Sequence, residues 1–285
     1  MTSCQCLIDN RMRLIPFLFY DIPPIPLKLM TGEIHAWLAV LARPVTNISR
    51  FNEMLSPDEQ MRAKRFLSPR DRMRFVARRG ILRTILASYL SVEPARLQFR
   101  YGNHGKPEIA DTGGAAAIYF NISHSDGVVL LAFARDGEIG ADIECVREIS
   151  EMEQIANRIF ASKEKEIFRS MPRSQREEAF FSAWTRKEAI SKALGDGLSR
   201  PLSRFSVSLI PGERSKLLSI DGDTLEASKW SIQCLTPTPN YAGALAWRSG
   251  VSEIHDRRLA SNTNLCRLTA GLLGGESNVR YCMYP

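Results

Sequence analysis

The sequence predicts an α+β protein made of two halves, each combining short strands with a long helix. Runs that alternate apolar and polar residues open and close each half, and two long stretches keep helical spacing of their apolar positions. Capping residues and turn dipeptides separate these segments. With 285 residues, 44% of them hydrophobic and 24% charged, the chain is long enough for one large or two small domains and has the composition of a protein that buries a core.

Residues 1–32 read as an N-terminal extension. The stretch from Leu14 to Met30 is apolar, but Asp21 and four prolines interrupt it, so it predicts neither a signal peptide nor a membrane anchor. Met12 and Met30 both precede the first orderly strand, and a start within this extension is expected. The first half, 33–137, opens with a strand at "EIHAWLAVL", Glu33 to Leu41. Ser56, Pro57 and Glu59 then form a capping box at the head of a helix, and Ser68, Pro69 and Asp71 start a longer one whose Phe75, Leu82, Ile85, Leu86 and Tyr89 keep helical spacing. Three short runs follow, "AIYFNIS", "VVLLAFA" and "EIGADIECV". Asp126-Gly127 and Asp136-Gly137 punctuate them, which predicts a meander.

The second half, 138–247, begins inside the third of those runs. A helical pattern spans Glu151 to about Met171, and a capping box at Ser174 and Glu177 predicts a second long helix from Gln175 to Leu194, ended by Gly195 and Gly197. "FSVSLI", "WSIQCL" and "YAGALAW" read as closing strands. No sequence repeat proves a duplication. Residues 248–285 lose periodicity and read as a loosely attached tail.

Six cysteines without paired spacing predict a reduced, cytoplasmic protein rather than a disulfide scaffold. The formal charge of +7 points to an anionic partner. Between Arg62 and Arg83 nine basic residues face the single acid Asp71, a local positive field. The chain has no nucleic-acid-binding motif and no zinc spacing, so a phosphate-rich small molecule or an acidic protein suits this field as well as a nucleic acid does.

Asp142 and Glu144 stand two apart in "IGADIE", so on a strand they share one face. For an isolated pair of this kind a solvated face is the commoner explanation. Glu188 alters the balance, because it lies in a helical stripe with Phe180, Trp184 and Lys192, where an uncompensated carboxylate would be costly. Three such carboxylates are a ligand set that Mg²⁺ accepts, with water and substrate phosphate in its other positions. Taken alone, Lys192 reads as an i,i+4 partner of Glu188, and Trp184 as core. His124, between Ser123 and Ser125 at a strand end, suits either a phosphate or a turn-capping cluster. Lys106 in "HGKP" is presented from a rigid loop, with a plain turn as the alternative. No G-x-S-x-G surrounds the serines, which excludes a nucleophile elbow.

In their order along the chain, "GKP", "FNISHS", "IGADIE" and "WTRKEAISK" resemble the 4′-phosphopantetheinyl transferases of the long, pseudo-dimeric (surfactin-synthetase activator) class. The likeness runs from about Glu33 to Trp247 and includes Gly140, Asp142, Ile143, Glu144, Trp184, Lys187, Glu188, Ala189 and Lys192. The resemblance implies two similar α+β halves in a pseudo-twofold arrangement with a ligand cleft between them. It also implies transfer of the phosphopantetheine arm of coenzyme A to a serine of an acidic apo carrier protein, with release of 3′,5′-ADP, by a monomer that requires Mg²⁺. Asp142, Glu144 and Glu188 are the implied metal ligands and Glu188 the implied base. Lys192 would hold the phosphate, and Ser123, His124, Lys106, Arg62 and Arg79 would hold the adenosine 3′-phosphate and its neighbours, with Arg74 as a rival for the arginine positions. Nucleic acid and membrane are not expected partners. A rival of another class is a basic-patch protein that binds nucleotide, nucleic acid or carrier without catalysis.

Overall fold

The computed structural model describes residues 12–17, 27–41, 48–102, 105–110, 117–135, 137–210 and 212–248, with backbone alone for 12–17 and 198. The expected tail beyond Arg248, most of the N-terminal extension, His104 and the Asp136 turn position lie outside the described residues.

Strand β1 (Met12–Phe17), which the sequence reading missed, pairs parallel with β2 (Ile34–Val40). Helices α1 (Ile48–Met54), α2 (Pro57–Lys64) and α3 (Pro69–Leu90) follow. Then come a two-stranded ladder of β3 (Phe99–Tyr101) and β4 (Pro107–Ile109), and a hairpin of β5 (Tyr119–Ser125) and β6 (Val128–Ala134). The second half starts with β7 (Ile139–Cys145) and continues through α4 (Met152–Ile159), α5 (Ser162–Ser170) and α6 (Arg173–Leu194). A ladder of β8 (Phe205–Val207) and β9 (Leu217–Ile220), helix α7 (Thr224–Ser228), and the paired β10 (Trp230–Leu235) and β11 (Tyr241–Arg248) complete it.

The two halves repeat one topology. Each runs strand, two short helices, a helix of 22 residues, a small ladder, then two more strands. In both sheets the last strand lies between the other two, in the orders β2-β6-β5 and β7-β11-β10, all antiparallel, with β1 added outside β2. Strand alternation divides the core. Val129, Leu131 and Phe133 of β6 pack with α3, while Ala244 and Ala246 of β11 pack with α6. The opposite faces, including Ile34, Leu130, Ile139, Ala141, Ile143 and Leu245, meet in a third apolar cluster that joins the halves.

The starts expected for α2 and α3 are present: Glu59 Oε2 accepts from the Ser56 N–H, and Ser68 Oγ accepts from the Asp71 N–H. Asp126 and Gly127, with φ of 37° and 87°, make the two-residue turn between Ser125 and Val128. Four expectations are corrected. The three central runs are not a meander, because β7 leaves β6 and pairs with β11, where burying Ile139, Ala141 and Ile143 closes the second sheet. The helical stretch Glu151–Met171 breaks at Phe160 and Ala161, since the Glu164 carboxylate takes the Ala161 N–H and starts a new helix. Helix α6 starts before the expected Ser174 box, at Pro172, whose fixed φ of −55° suits the position before a first turn. In "FSVSLI" only Phe205–Val207 is strand, in a ladder apart from the main sheets.

Each half also carries a fully buried cation paired with a buried glutamate. Arg83 Nε is 2.7 Å from Glu59 Oε2, and its Nη1 donates to the Pro94 and Leu97 carbonyls. Lys187 Nζ is 2.7 Å from Glu164 Oε2 and donates to the Leu202 and Phe205 carbonyls. In both halves the acid starts a short helix and the cation ties the long helix to the segment that follows it.

Candidate active site

The site lies where β5 of the first half meets β7 and α6 of the second. Gly140 sets the spacing: a Cβ there would sit 1.9 Å from the Ala189 carbonyl oxygen and 2.5 Å from the Ala193 nitrogen. Only glycine on the strand, facing alanines on the helix, lets the two backbones approach this closely. Asp142 and Glu144 share Gly140's face by strand alternation and therefore turn toward α6 rather than into the apolar cluster.

Along α6 the stripe passes from core to opening. Phe180 is buried and its ring lies 5.8 Å from that of half-buried Trp184, while Glu188 and Lys192 are half-buried further on. Lys192 Nζ is 2.6 Å from Asp142 Oδ1 and 3.1 Å from Ser123 Oγ, and Ser123 Oγ also donates to Asp142 Oδ1 at 2.8 Å. Asp142 is almost fully buried, yet its Oδ2 has no hydrogen-bond partner. Ser125 Oγ donates to Glu144 Oε2 at 2.8 Å and accepts from the Cys145 N–H. The Glu188 carboxylate makes no hydrogen bond or ion pair among the described residues.

Burial pushes the Glu188 carboxyl above the usual carboxylate range; Lys192 opposes this and the Asp142 charge adds to it. Glu144 is also raised, by burial first, against the lowering effect of its Ser125 hydrogen bond. An ammonium bound to one oxygen of Asp142, an unpartnered second oxygen and two carboxyls strained by burial form an anionic cluster short of cations. Among the described residues no three acidic, histidine or cysteine side chains enclose an ion by themselves. Mg²⁺ characteristically keeps several waters and a phosphate oxygen, so a hard cation fits this partial donor set.

A cavity of about 250 Å³ lies against α3 and the β5–β6 turn, lined by Phe66, Asp71, Arg74, Arg78, His124 and Asp126, among others. Arg74 Nε is buried without a hydrogen-bond partner, and its Nη2 is 3.6 Å from Asp126. Burial, with Arg62, Arg74 and Arg79 nearby, lowers the Arg78 guanidinium to about 10. An anion in this cavity would relieve the crowd of cations.

The expected binding residues therefore separate. His124 faces the cavity, but Ser123, its strand neighbour, points to the other side and joins Asp142 and Lys192. Arg62 is exposed above the Phe75 ring and does not line the cavity. Arg79 is buried, 2.8 Å from Glu59 Oε1 and hydrogen-bonded to the Tyr101 hydroxyl. Lys106 Nζ reaches from the first half to the end of α6 and donates to the Lys192 carbonyl at 2.9 Å. Burial lowers its pKa there. The sequence reading missed Arg78, which the i,i+4 spacing from Arg74 on a helix would have indicated.

Comparison with known proteins identifies the family. Residues 138–246 match the 4′-phosphopantetheinyl transferase superfamily, and residues 44–135 match the family described as 4′-phosphopantetheinyl transferase, N-terminal. The chain is 40% identical to the 4′-phosphopantetheinyl transferase HetI of Nostoc sp. over 78% of its own length and 91% of that protein. It is 32% identical to the 4′-phosphopantetheinyl transferase Sfp of Bacillus subtilis over 56% of its length and 69% of that protein. The crystal structure of the Thermotoga maritima holo-[acyl-carrier-protein] synthase is similar over 39% of this chain and 62% of that one, with 25% identity and a TM-score of 0.33. The chain belongs to the 4′-phosphopantetheinyl transferases. Nothing in these comparisons supports a non-catalytic binding protein. No helix among the described residues is long and apolar enough to cross a membrane.

Proposed function

We propose that this transferase does its chemistry in the seam between β5, β7 and α6, and holds the adenosine end of coenzyme A in the cavity beside α3. The enzyme moves the phosphopantetheine arm of coenzyme A onto a serine of an apo carrier protein, giving the holo carrier and 3′,5′-ADP. The carrier serine oxygen forms a bond to the phosphorus that bears the pantetheine, and the bond from that phosphorus to the bridging oxygen of 3′,5′-ADP breaks. Glu188, whose carboxylate has no hydrogen-bond or ion-pair partner among the described residues and lies half-buried at the opening of the seam, accepts the serine proton. Lys192 spends two of its three N–H donors on Asp142 and Ser123, and the third is available to the substrate phosphate or the departing oxygen. Arg74, Arg78 and His124 hold the 3′-phosphate. Asp142, Glu144 and Glu188 would hold Mg²⁺, which supplies neutralisation of charge on the non-bridging phosphate oxygens.

Several further readings rest on the same features. The positive field between Arg62 and Arg83 favours an acidic carrier surface. Both halves, 33–137 and 138–247, contribute to the one site, since Ser123 meets Asp142, so a monomer suffices. Cys145 is a free thiol, in keeping with a reducing cytoplasm.

The observation that carries this assignment is Asp142, buried, with one oxygen bound to Lys192 and the other without a partner. Incubation with coenzyme A, Mg²⁺ and a panel of apo carriers, followed by intact mass, tests it. A carrier gains one phosphopantetheine and loses that gain with a chelator present; unchanged carriers, or a gain insensitive to chelation, contradict it.

A further inference from the structure

The carboxylates of the site sit on the second half of the chain, but the groups that fix them come from the first. On β5, Asn121, Ser123 and Ser125 alternate and so share one face, which lies along β7. Asn121 Oδ1 accepts from the Ala141 N–H at 3.1 Å. Ser123 and Ser125 then take one carboxylate each, so the two strands are joined through side chains where no backbone ladder exists.

We infer that Ser125 is a positioning residue that acts through Glu144, and that Ser123 and Ser125 together select which carboxylate oxygens face the metal. Ser125 accepts the Cys145 N–H at 3.0 Å, which fixes its oxygen and commits its single hydroxyl proton to Glu144 Oε2 at 2.8 Å. Glu144 Oε1 makes no hydrogen bond among the described residues and is the oxygen left for a cation. Ser123 does the same at Asp142: it occupies Oδ1 together with Lys192 and leaves the buried Oδ2 open. A carboxylate pinned by one oxygen presents the other at a fixed angle, the role that partners of metal ligands commonly play. This inference rests on the metal reading of Asp142, Glu144 and Glu188. It adds that the first half of the chain tunes a centre whose ligands all come from the second.

The test is a titration of the full chain, with coenzyme A present, by Mn²⁺ observed by electron paramagnetic resonance, comparing the unsubstituted enzyme, Ser125→Ala and Ser125→Thr. Ser125→Ala should weaken Mn²⁺ binding about tenfold or more, the scale of losing a partner of a metal ligand, and Ser125→Thr, which keeps the hydroxyl, should restore it. Coenzyme A affinity without metal should be the same in all three. If the unsubstituted enzyme fails to bind Mn²⁺, the metal reading falls, and this inference with it. If it binds and Ser125→Ala binds equally well, or Ser125→Thr stays as weak as alanine, the inference alone is overturned. Should Ser125→Ala fail to fold, Ser125→Cys, with a weak donor of similar size, replaces it. Weakened Mn²⁺ binding by that variant is then the expected result, and unchanged binding the contrary one.

Discussion

Arg83 and Lys187 occupy matching positions in two helices of equal length, and each meets a buried glutamate, Glu59 or Glu164, that starts the short helix before its own. This equivalence separates the two lysines of "WTRKEAISK". Lys187 is buried and spends its donors on Glu164 and two carbonyls, so it holds the fold, as Arg83 does in the other half. Lys192 is partly exposed and pairs with Asp142 at the seam. At the matching places in α3, Thr84 and Ser88 stand where Glu188 and Lys192 stand in α6, and both donate back to their own helix. The Glu-Lys pair proposed to react thus stands in one half only, while the matching places of the other half hold hydroxyls.

Lys187→Met should therefore destabilise the protein rather than alter its chemistry. Removing one partner of a buried pair costs about 3–5 kcal/mol because the other charge is stranded. Urea unfolding should show the loss, and the variant that remains folded should retain its KM for coenzyme A. Normal stability would mean that the pair is dispensable.

Gly140→Ala places a methyl 1.9 Å from the Ala189 carbonyl, in rigid backbone on both sides. The expected cost is about 3 kcal/mol, the upper end for overpacking, with loss of transfer as α6 moves off β7. A thermal melt and a transfer assay check it; a variant with an unchanged Tm would show that the strand and helix are not held this closely.

The raised pKa of Glu188 carries a stability consequence with a definite sign. A carboxyl raised on folding contributes stability that is fully present below its unfolded value of about 4.3 and is lost as pH rises through the folded value. Glu188→Gln lacks that loss. Its Tm should exceed that of the unsubstituted enzyme at neutral pH, and the gap should close as pH falls toward that unfolded value. A lower Tm for Glu188→Gln at neutral pH would contradict the burial argument.

Arg74 and Arg78 should matter for one phosphate. Either residue changed to alanine should weaken coenzyme A by about 10- to 100-fold, the scale of a lost charge-assisted hydrogen bond, and leave dephospho-coenzyme A nearly unaffected. Calorimetry with both ligands distinguishes the cases. Equal losses for the two would move the 3′-phosphate out of this cavity.

Local signals in the sequence reached far, and long-range partnership is where they stopped. Ser56, Ser68, the Asp126-Gly127 turn and the Gly195 stop are encoded within a few residues and stand where they were read. The Asp136-Gly137 signal predicts a turn but says nothing of the next strand's partner, and β7 belongs to the second sheet rather than extending the first. Strands β3, β4 and β9 are too short for alternation to register, while β8 was read but made too long. At the site, Lys192 reads by spacing as the partner of Glu188 but pairs with Asp142, whereas the shared faces of Asp142, Glu144 and Glu188 were legible from their places on regular elements. The arginines were not, since which face of α3 meets Glu59 and which meets His124 depends on packing against α2 and β5.

The account centres on Glu188 as the group that takes the carrier serine's proton, and its most direct test is the transfer rate of Glu188→Gln across a Mg²⁺ titration. Glutamine keeps the helix propensity and leaves the coenzyme A contacts beside α3 untouched. Turnover should fall about a hundredfold or more at saturating coenzyme A, the usual scale for loss of general-base help, and excess Mg²⁺ should not restore it. Turnover near that of the unsubstituted enzyme would show that Glu188 is an ordinary half-buried carboxylate and that the proton leaves by another route.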